Sequence, residues 1–205
     1  DRINMPSVSQ LDGLIICFVT RRMTVLPIAS KLNAEQAAAT FMLGESVETS
    51  AGDPRRAGQS VRVVGTNPFL IGKPSDEGNW FYDFLKRHQS KVQCYLLNTG
   101  GVGEIMSRDP EGNPKLSQPS LRIAIPDMSS IIRGIAQGTI QWKVDSNFNT
   151  EVPIHVPHVD MSKFDLDKFY TDQSITDQVK ALKLERREWL EKFPELNNDI
   201  ATALS

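Results

Sequence analysis
The sequence predicts an α/β chain, a mixed sheet with flanking helices. Two observations carry that expectation. Leu14–Val19 is a continuous apolar run rich in β-branched residues, the pattern of a strand covered on both faces, and Val92–Leu97 reads as a second buried strand. Between and beyond them, apolar residues recur at helical spacing behind recognisable start and stop residues. A chain of 205 residues suits one domain and buries about 70% of its extended surface without a disulfide or metal.

The elements follow in order. After the run at 14–19, a helix is expected over 34–43, with Asn33 as N-cap, Gln36 completing a capping box and Gly44 as the stop. Its inward stripe is Ala37, Ala38, Phe41 and Met42. Residues 45–60 are small and polar, with Gly52, Asp53-Pro54 and Gly58, and read as a long irregular loop. Val61–Val64 reads as a short strand and Pro68–Ile71 as a second apolar piece. Trp80, Phe81, Phe84 and Leu85 predict a helix from about Glu77 to His88, docked by that aromatic face, with His88 on its polar side. The strand at 92–97 leaves through Asn98-Thr99-Gly100-Gly101-Val102-Gly103, and 107–119 reads as a polar surface excursion. Asp127 is expected to cap a helix that buries Ile131, Ile132 and Ile135 and stops at Gly138. Pro153 would push a strand at 152–156 to an edge. Ser174 and Asp177 are expected to cap a last amphipathic helix near 174–193.

Charge and composition exclude several classes. Twenty-three basic against 25 acidic residues, with no lysine- or arginine-dense block, argue against nucleic-acid binding. No apolar run approaches the length of a membrane span, and Cys17 and Cys94 sit inside strand-like runs as free thiols would. A reducing, cytoplasmic setting is expected, with no membrane partner. The chain opens on Asp1, about a dozen residues ahead of its first strand, so a piece of a longer polypeptide is expected, with 1–13 as a lead-in and 14–205 as one lobe.

Chemistry stands out in one segment. Neither Gly-x-x-x-x-Gly-Lys-Ser/Thr nor Gly-x-Gly-x-x-Gly occurs, so the glycines at 100–103 read as a tight turn, with backbone N–H groups near a ligand the other possibility. His155 and His158, three apart in an extended segment, project to opposite faces, and no metal site is expected. No nucleophile–base pair is evident, and Glu185, Glu188 and Glu191 alternate with Lys183, Arg186, Arg187 and Lys192 like a solvated helix face. Arg55 and Arg56, on a glycine-flanked loop, are the exception. Adjacent guanidinium groups can close on an anion or stack on a purine, and a solvated loop is the alternative the residues leave open.

The motifs also share an order. Phe18-Val19-Thr20, Leu26-Pro27-Ile28-Ala29-Ser30-Lys31-Leu32, Glu35-Gln36, Phe41-Met42-Leu43-Gly44, Gly65 with Pro68-Phe69, and Tyr95-Leu96-Leu97-Asn98-Thr99-Gly100 succeed one another. That succession resembles the C-terminal portion of ATP-dependent phosphoenolpyruvate carboxykinase, and Asp127, Gly138 and Pro157-His158-Val159-Asp160 extend the likeness to about residue 170. The resemblance implies a nucleotide-binding lobe of an enzyme that converts oxaloacetate and ATP to phosphoenolpyruvate, carbon dioxide and ADP. It implies that Arg55, with Arg56 next to it, contacts adenine, and that Ser60 supplies the hydroxyl further along. The phosphate loop, the residues for Mg²⁺ or Mn²⁺ and the substrate-binding residues of the family lie in its N-terminal and central parts. By the resemblance, the metal binds outside this chain, the partners are that N-terminal remainder and the nucleotide, and the chain is inactive alone. Ala51-Gly52-Asp53-Pro54-Arg55 in place of Gly-Thr-Glu-Arg-Gly, and Gly101 in place of Trp, mark a divergent branch. A non-catalytic interaction or regulatory module, and a kinase of another small substrate, are the competing readings.

Overall fold
The computed structural model describes residues 10, 12–47, 60–65 and 71–204. Five strands form the main sheet: β1 (Leu14–Thr20), β2 (Ala29–Leu32), β5 (Val92–Asn98), β10 (Gln141–Val144) and β11 (Glu151–His155). Short strands β3 (Glu45–Val47) and β4 (Ser60–Arg62), β6 (Gly101–Val102) and β9 (Leu121–Arg122), and β7 (Ile105–Arg108) and β8 (Pro114–Gln118) form three two-stranded ladders. The helices are α1 (Ala34–Leu43), α2 (Pro74–Arg87), α3 (Ile125–Gln137), α4 (Asp172–Leu190) and α5 (Asn198–Thr202). The main sheet runs β1-β5-β2-β11-β10, with β1 parallel to β5 and the other pairs antiparallel. The expected mixed α/β sheet is therefore the observed one.

Period-two alternation sends β5 into two cores. Val92, Cys94 and Leu96 join a cluster built with Ala37–Ala39, Met42, Phe81, Leu85, Val179, Leu182 and Ile200, so α1, α2, α4 and α5 cover that face. Tyr95 and Leu97 join Ile28, Ala29, Val102, Ile131, Ile135 and Phe164, where α3 covers the other face. β5 is thus buried on both sides, as its composition requires. β1 is not: Leu14, Ile16 and Phe18 pack on the first core, while Ile15, Cys17 and Val19 face outward.

α1 forms as expected. Gln36 N–H donates to Asn33 Oδ1 at 2.8 Å, Asn33 N–H donates to Gln36 Oε1 at 3.1 Å, and Gly44 ends the helix in the left-handed region at φ 47°. Its buried stripe is Ala37–Ala39, Met42 and Leu43, with Phe41 at the margin. α2 starts at Pro74 rather than near Glu77, because a proline suits the first turn and Lys73 ahead of it is extended. Its docked face is Ser75, Gly78, Phe81, Tyr82 and Leu85; Trp80 stays 59% exposed. His88 caps the helix half-buried, its ring 4.9 Å from that of Phe84.

The surface excursion near 107–119 is an exposed hairpin whose turn is held by Asp109 Oδ1 accepting from Asn113 N–H at 2.7 Å. Three further expectations are corrected. α3 begins at Ile125, so Asp127 lies in its first turn and pairs with Lys163 Nζ at 2.7 Å; Ile132 is half-exposed. β11 lies inside the sheet, not at its edge. Pro153 is accommodated because β2 pairs with β11 only at Glu151↔Lys31, so no ladder bond needs the missing N–H. Thr171 rather than Ser174 or Asp177 caps α4, its Oγ1 accepting from Ser174 N–H at 3.3 Å.

Candidate functional site
The segment singled out by sequence springs from the end of α1. Gly44 N–H bonds Thr40 O and Val63 N–H bonds Gly44 O, both at 3.1 Å, so the chain turns directly from helix into β3. A Cβ at Gly44 would lie 1.6 Å from the Val63 carbonyl oxygen, and its φ of 47° already disfavours any side chain. β3 then pairs with β4 in the register Glu45↔Arg62, Ser46↔Val61, Val47↔Ser60. The segment expected to be loop throughout is therefore strand at both ends. Arg55 and Arg56 lie outside the described residues; Ser60 opens β4, and only its backbone placement is described.

Beneath this ladder sits a buried ionic cluster. Glu45 receives a fork from Arg186, with Nε to Oε1 and Nη2 to Oε2 both at 3.0 Å. Arg62 Nη2 lies 3.2 Å from Glu45 Oε1 and 2.7 Å from Glu185 Oε1, and Arg22 Nη2 lies 3.4 and 2.9 Å from the same two oxygens. Phe148 backs Arg186, whose guanidinium carbon is 5.5 Å from the ring centroid. Burial pushes the Glu45 carboxyl upward, but Arg186, then Arg22 and Arg62, pull it down to about 2. Glu185 is likewise held low: burial opposes ionisation and is outweighed by Arg22 and Arg62. Arg22, desolvated yet bonded to both carboxylates, is held above its ordinary value.

Among the described residues, three guanidinium groups face two carboxylates here. Arg62 Nη1 is buried and, among the described residues, has no hydrogen-bond partner. A buried charged donor left unpaired costs about 1–3 kcal/mol or more. An anionic or lone-pair-bearing group suits such a donor; a cation does not.

β3 lies against β1, whose carboxyl end sits beside that of β5, the position where α/β sheets commonly receive ligands. Asn98 organises this end. Its Oδ1 accepts from Arg22 N–H at 2.9 Å and Gly100 N–H at 3.0 Å, and its Nδ2 donates to Leu26 O at 3.2 Å. Gly100 and Gly101 are needed for close backbone approach, since a Cβ would meet Arg22 O at 2.1 Å and Leu121 O at 2.4 Å. The glycine-rich exit is therefore a packed turn.

The remaining candidates disperse. His155 ends β11 and His158 has φ 67°, and both are exposed; among the described residues no three His, Cys, Asp or Glu side chains converge as metal ligands would. Cys94 is buried, its thiol pushed up to about 12 by burial first and then by Cys17. Cys17 is exposed rather than buried, with partial desolvation raising its pKa. A separate cavity of about 390 Å³ opens between Val25–Ile28 and β10–β11, mostly apolar, with Lys143, Asp145 and Asp165 at its wall. Among the described residues no helix is long and apolar enough to cross a membrane.

Arg22, Glu45, Arg62, Glu185 and Arg186 escape the sequence reading. Arg186 alone left a signal. It falls at the helical spacing of Val179, Leu182 and Leu190, in the middle of the apolar face, where an arginine needs a buried partner. Arg186 is accordingly a buried cluster member and not part of a solvated face, while the half-exposed Glu185 bonds Arg22 and Arg62 at the margin of the cluster.

The family model for phosphoenolpyruvate carboxykinase matches residues 2–162. The ATP-type phosphoenolpyruvate carboxykinase of Aeropyrum pernix is 27% identical over 193 residues, covering 93% of this chain and 35% of that protein. Those of Parvibaculum lavamentivorans and Allorhizobium ampelinum are each 28% identical, over 152 and 157 residues, covering 71% and 74% of this chain and 26% and 27% of theirs. The chain spans about a third or less of the length of these relatives.

Proposed function
The chain belongs to the phosphoenolpyruvate carboxykinase family, and from that premise we propose that it forms the C-terminal lobe of an ATP-dependent carboxykinase-like enzyme and supplies the adenine side of its nucleotide cleft. Arg55 stacks on or bonds the base, Arg56 supports it, and Ser60 offers a hydroxyl at the foot of the segment. One observation carries the reading. β3 and β4, which flank the arginine-bearing segment in sequence, pair over a cluster in which, among the described residues, three guanidinium groups face two carboxylates and a buried Arg62 N–H lacks an acceptor. Such a base favours an electron-rich ligand above it.

The reaction of the whole enzyme would be oxaloacetate and ATP to phosphoenolpyruvate, carbon dioxide and ADP. A divalent cation would neutralise the phosphates, held by residues outside this chain. This lobe binds and orients; the phosphoryl transfer is done elsewhere.

The test uses the whole enzyme, assayed for ATP-dependent carbon dioxide release from oxaloacetate. Arg55→Ala is expected to raise the KM for ATP about tenfold, the loss of about 1.4 kcal/mol, with the KM for oxaloacetate unchanged. Nucleotide hydrolysis without decarboxylation would point instead to a kinase of another small substrate. Absence of nucleotide binding, indifferent to Arg55→Ala and Arg56→Ala, would point to a non-catalytic module.

A further inference from the structure
Away from the ionic cluster, α4 carries a second gathering of like charges. Lys180, Lys183 and Arg187 follow one another three and four positions apart, so they share one face of the helix. With Ser146 and Asn147, from the turn between β10 and β11, they line a recess of about 420 Å³. Among the described residues, none of these five side chains has an ion-pair or hydrogen-bond partner. The acidic residues spaced to pair with the cations do not: Asp177 accepts from Gln173 Nε2 at 2.9 Å, and no ion pair joins Glu191 to Arg187. Like charges at these spacings repel and weaken a helix, a cost that an anion in the recess removes. The whole chain carries a net charge of −2, so three such cations in one recess are a local feature and not a consequence of composition.

The opposite wall is fixed before anything binds. Asp145 Oδ2 accepts from Asn147 N–H at 3.0 Å and Phe148 N–H at 2.7 Å, Asp145 N–H donates to Thr150 O at 2.8 Å, and the buried Phe148 backs Arg186. The Asp145 carboxylate is thereby used within the turn, and the recess itself has no acidic residue in its lining. A hydroxyl and an amide on a braced turn, facing two ammonium groups and a guanidinium fork, are donors suited to phosphate oxygens. The three cations span roughly 10 Å of helix axis, which suits linked phosphates better than a single one. Among the described residues the lining holds no aromatic side chain to stack on a base.

We propose that this recess binds a small inorganic polyphosphate, independently of the reading of Arg55 and Arg56 as adenine contacts. The experiment titrates tripolyphosphate into the chain by calorimetry at about 0.15 M salt. One saturable site with a Kd below about 1 mM is expected, with orthophosphate at least tenfold weaker and the melting temperature raised as tripolyphosphate is added. Lys183→Gln and Arg187→Gln are each expected to weaken binding at least tenfold with far-ultraviolet dichroism unchanged. Ser146→Asp, which leaves α4 untouched and puts a like charge beside the anion, is expected to do the same. Lys115→Gln, on the exposed β7–β8 hairpin, and Arg55→Ala should leave binding unaltered, and in the Arg55→Ala chain ATP should bind no more tightly than tripolyphosphate. The proposal is overturned if no saturable binding occurs, if binding survives the three recess variants, or if Lys115→Gln weakens it equally. Loss of tripolyphosphate binding in Arg55→Ala would place the anion on the loop and overturn it too. Tighter binding of ATP in that background, or of a short single-stranded oligonucleotide, would overturn it in favour of a nucleotide or nucleic-acid site.

Discussion
Glu45 concentrates the energetics of the site in one side chain. Its carboxylate is almost fully buried and ionised only because Arg186, Arg62 and Arg22 surround it. Removing its charge strands Arg186, which is 2% exposed, so Glu45→Gln is expected to destabilise the fold by about 3–5 kcal/mol in urea unfolding. The pH dependence has a defined sign. The folded carboxyl lies near 2 against an ordinary value of 4.5, so its stabilisation is complete above about 4.5 and is lost as pH falls towards 2. Melting temperatures recorded from pH 7 to pH 2 should show that loss in the wild type and a reduced slope across the same window in Glu45→Gln. An unchanged slope would mean that another carboxylate governs acid unfolding.

α1 illustrates what local chemistry alone can specify. The Asn33–Gln36 capping box and the left-handed Gly44 were readable before any fold was known, because each acts within one turn of chain. Asn33→Ala is expected to lower stability by about 1 kcal/mol, checked by chemical denaturation. Gly44→Ala should cost more, since its Cβ would collide with the Val63 backbone at the foot of the β3–β4 ladder. α2 and α3 were also recognisable, but each begins earlier than expected, at Pro74 and Ile125, because a proline in the first turn outweighed the acidic residues taken as starts. The β7–β8 hairpin was hidden for a related reason: its strands are short and largely exposed, with too few apolar residues to show an alternation.

Over the whole molecule, β5 is the spine on which both cores are built, and Cys94 reports on it. With its thiol buried and pushed up to about 12, Cys94 should resist alkylation at pH 8 until the sheet opens. Its labelling rate under increasing urea is expected to follow the loss of far-ultraviolet dichroism, while exposed Cys17 labels from the start. Labelling of Cys94 well before that transition would show that β5 can open without global unfolding.

The sequence by itself determined the α/β class, the caps of α1, the buried character of β5 and the family likeness, because periodicity, turn chemistry and motif order are properties of neighbours along the chain. Only the tertiary structure decided that Glu45, Arg62, Glu185, Arg22 and Arg186 converge, since 163 positions separate Arg22 from the Glu185 it bonds. It also decided that β11 tolerates Pro153 within the sheet and that β1, among the described residues, pairs with β5 alone. Burial and pairing are relations between distant segments, and composition records only the capacity for them.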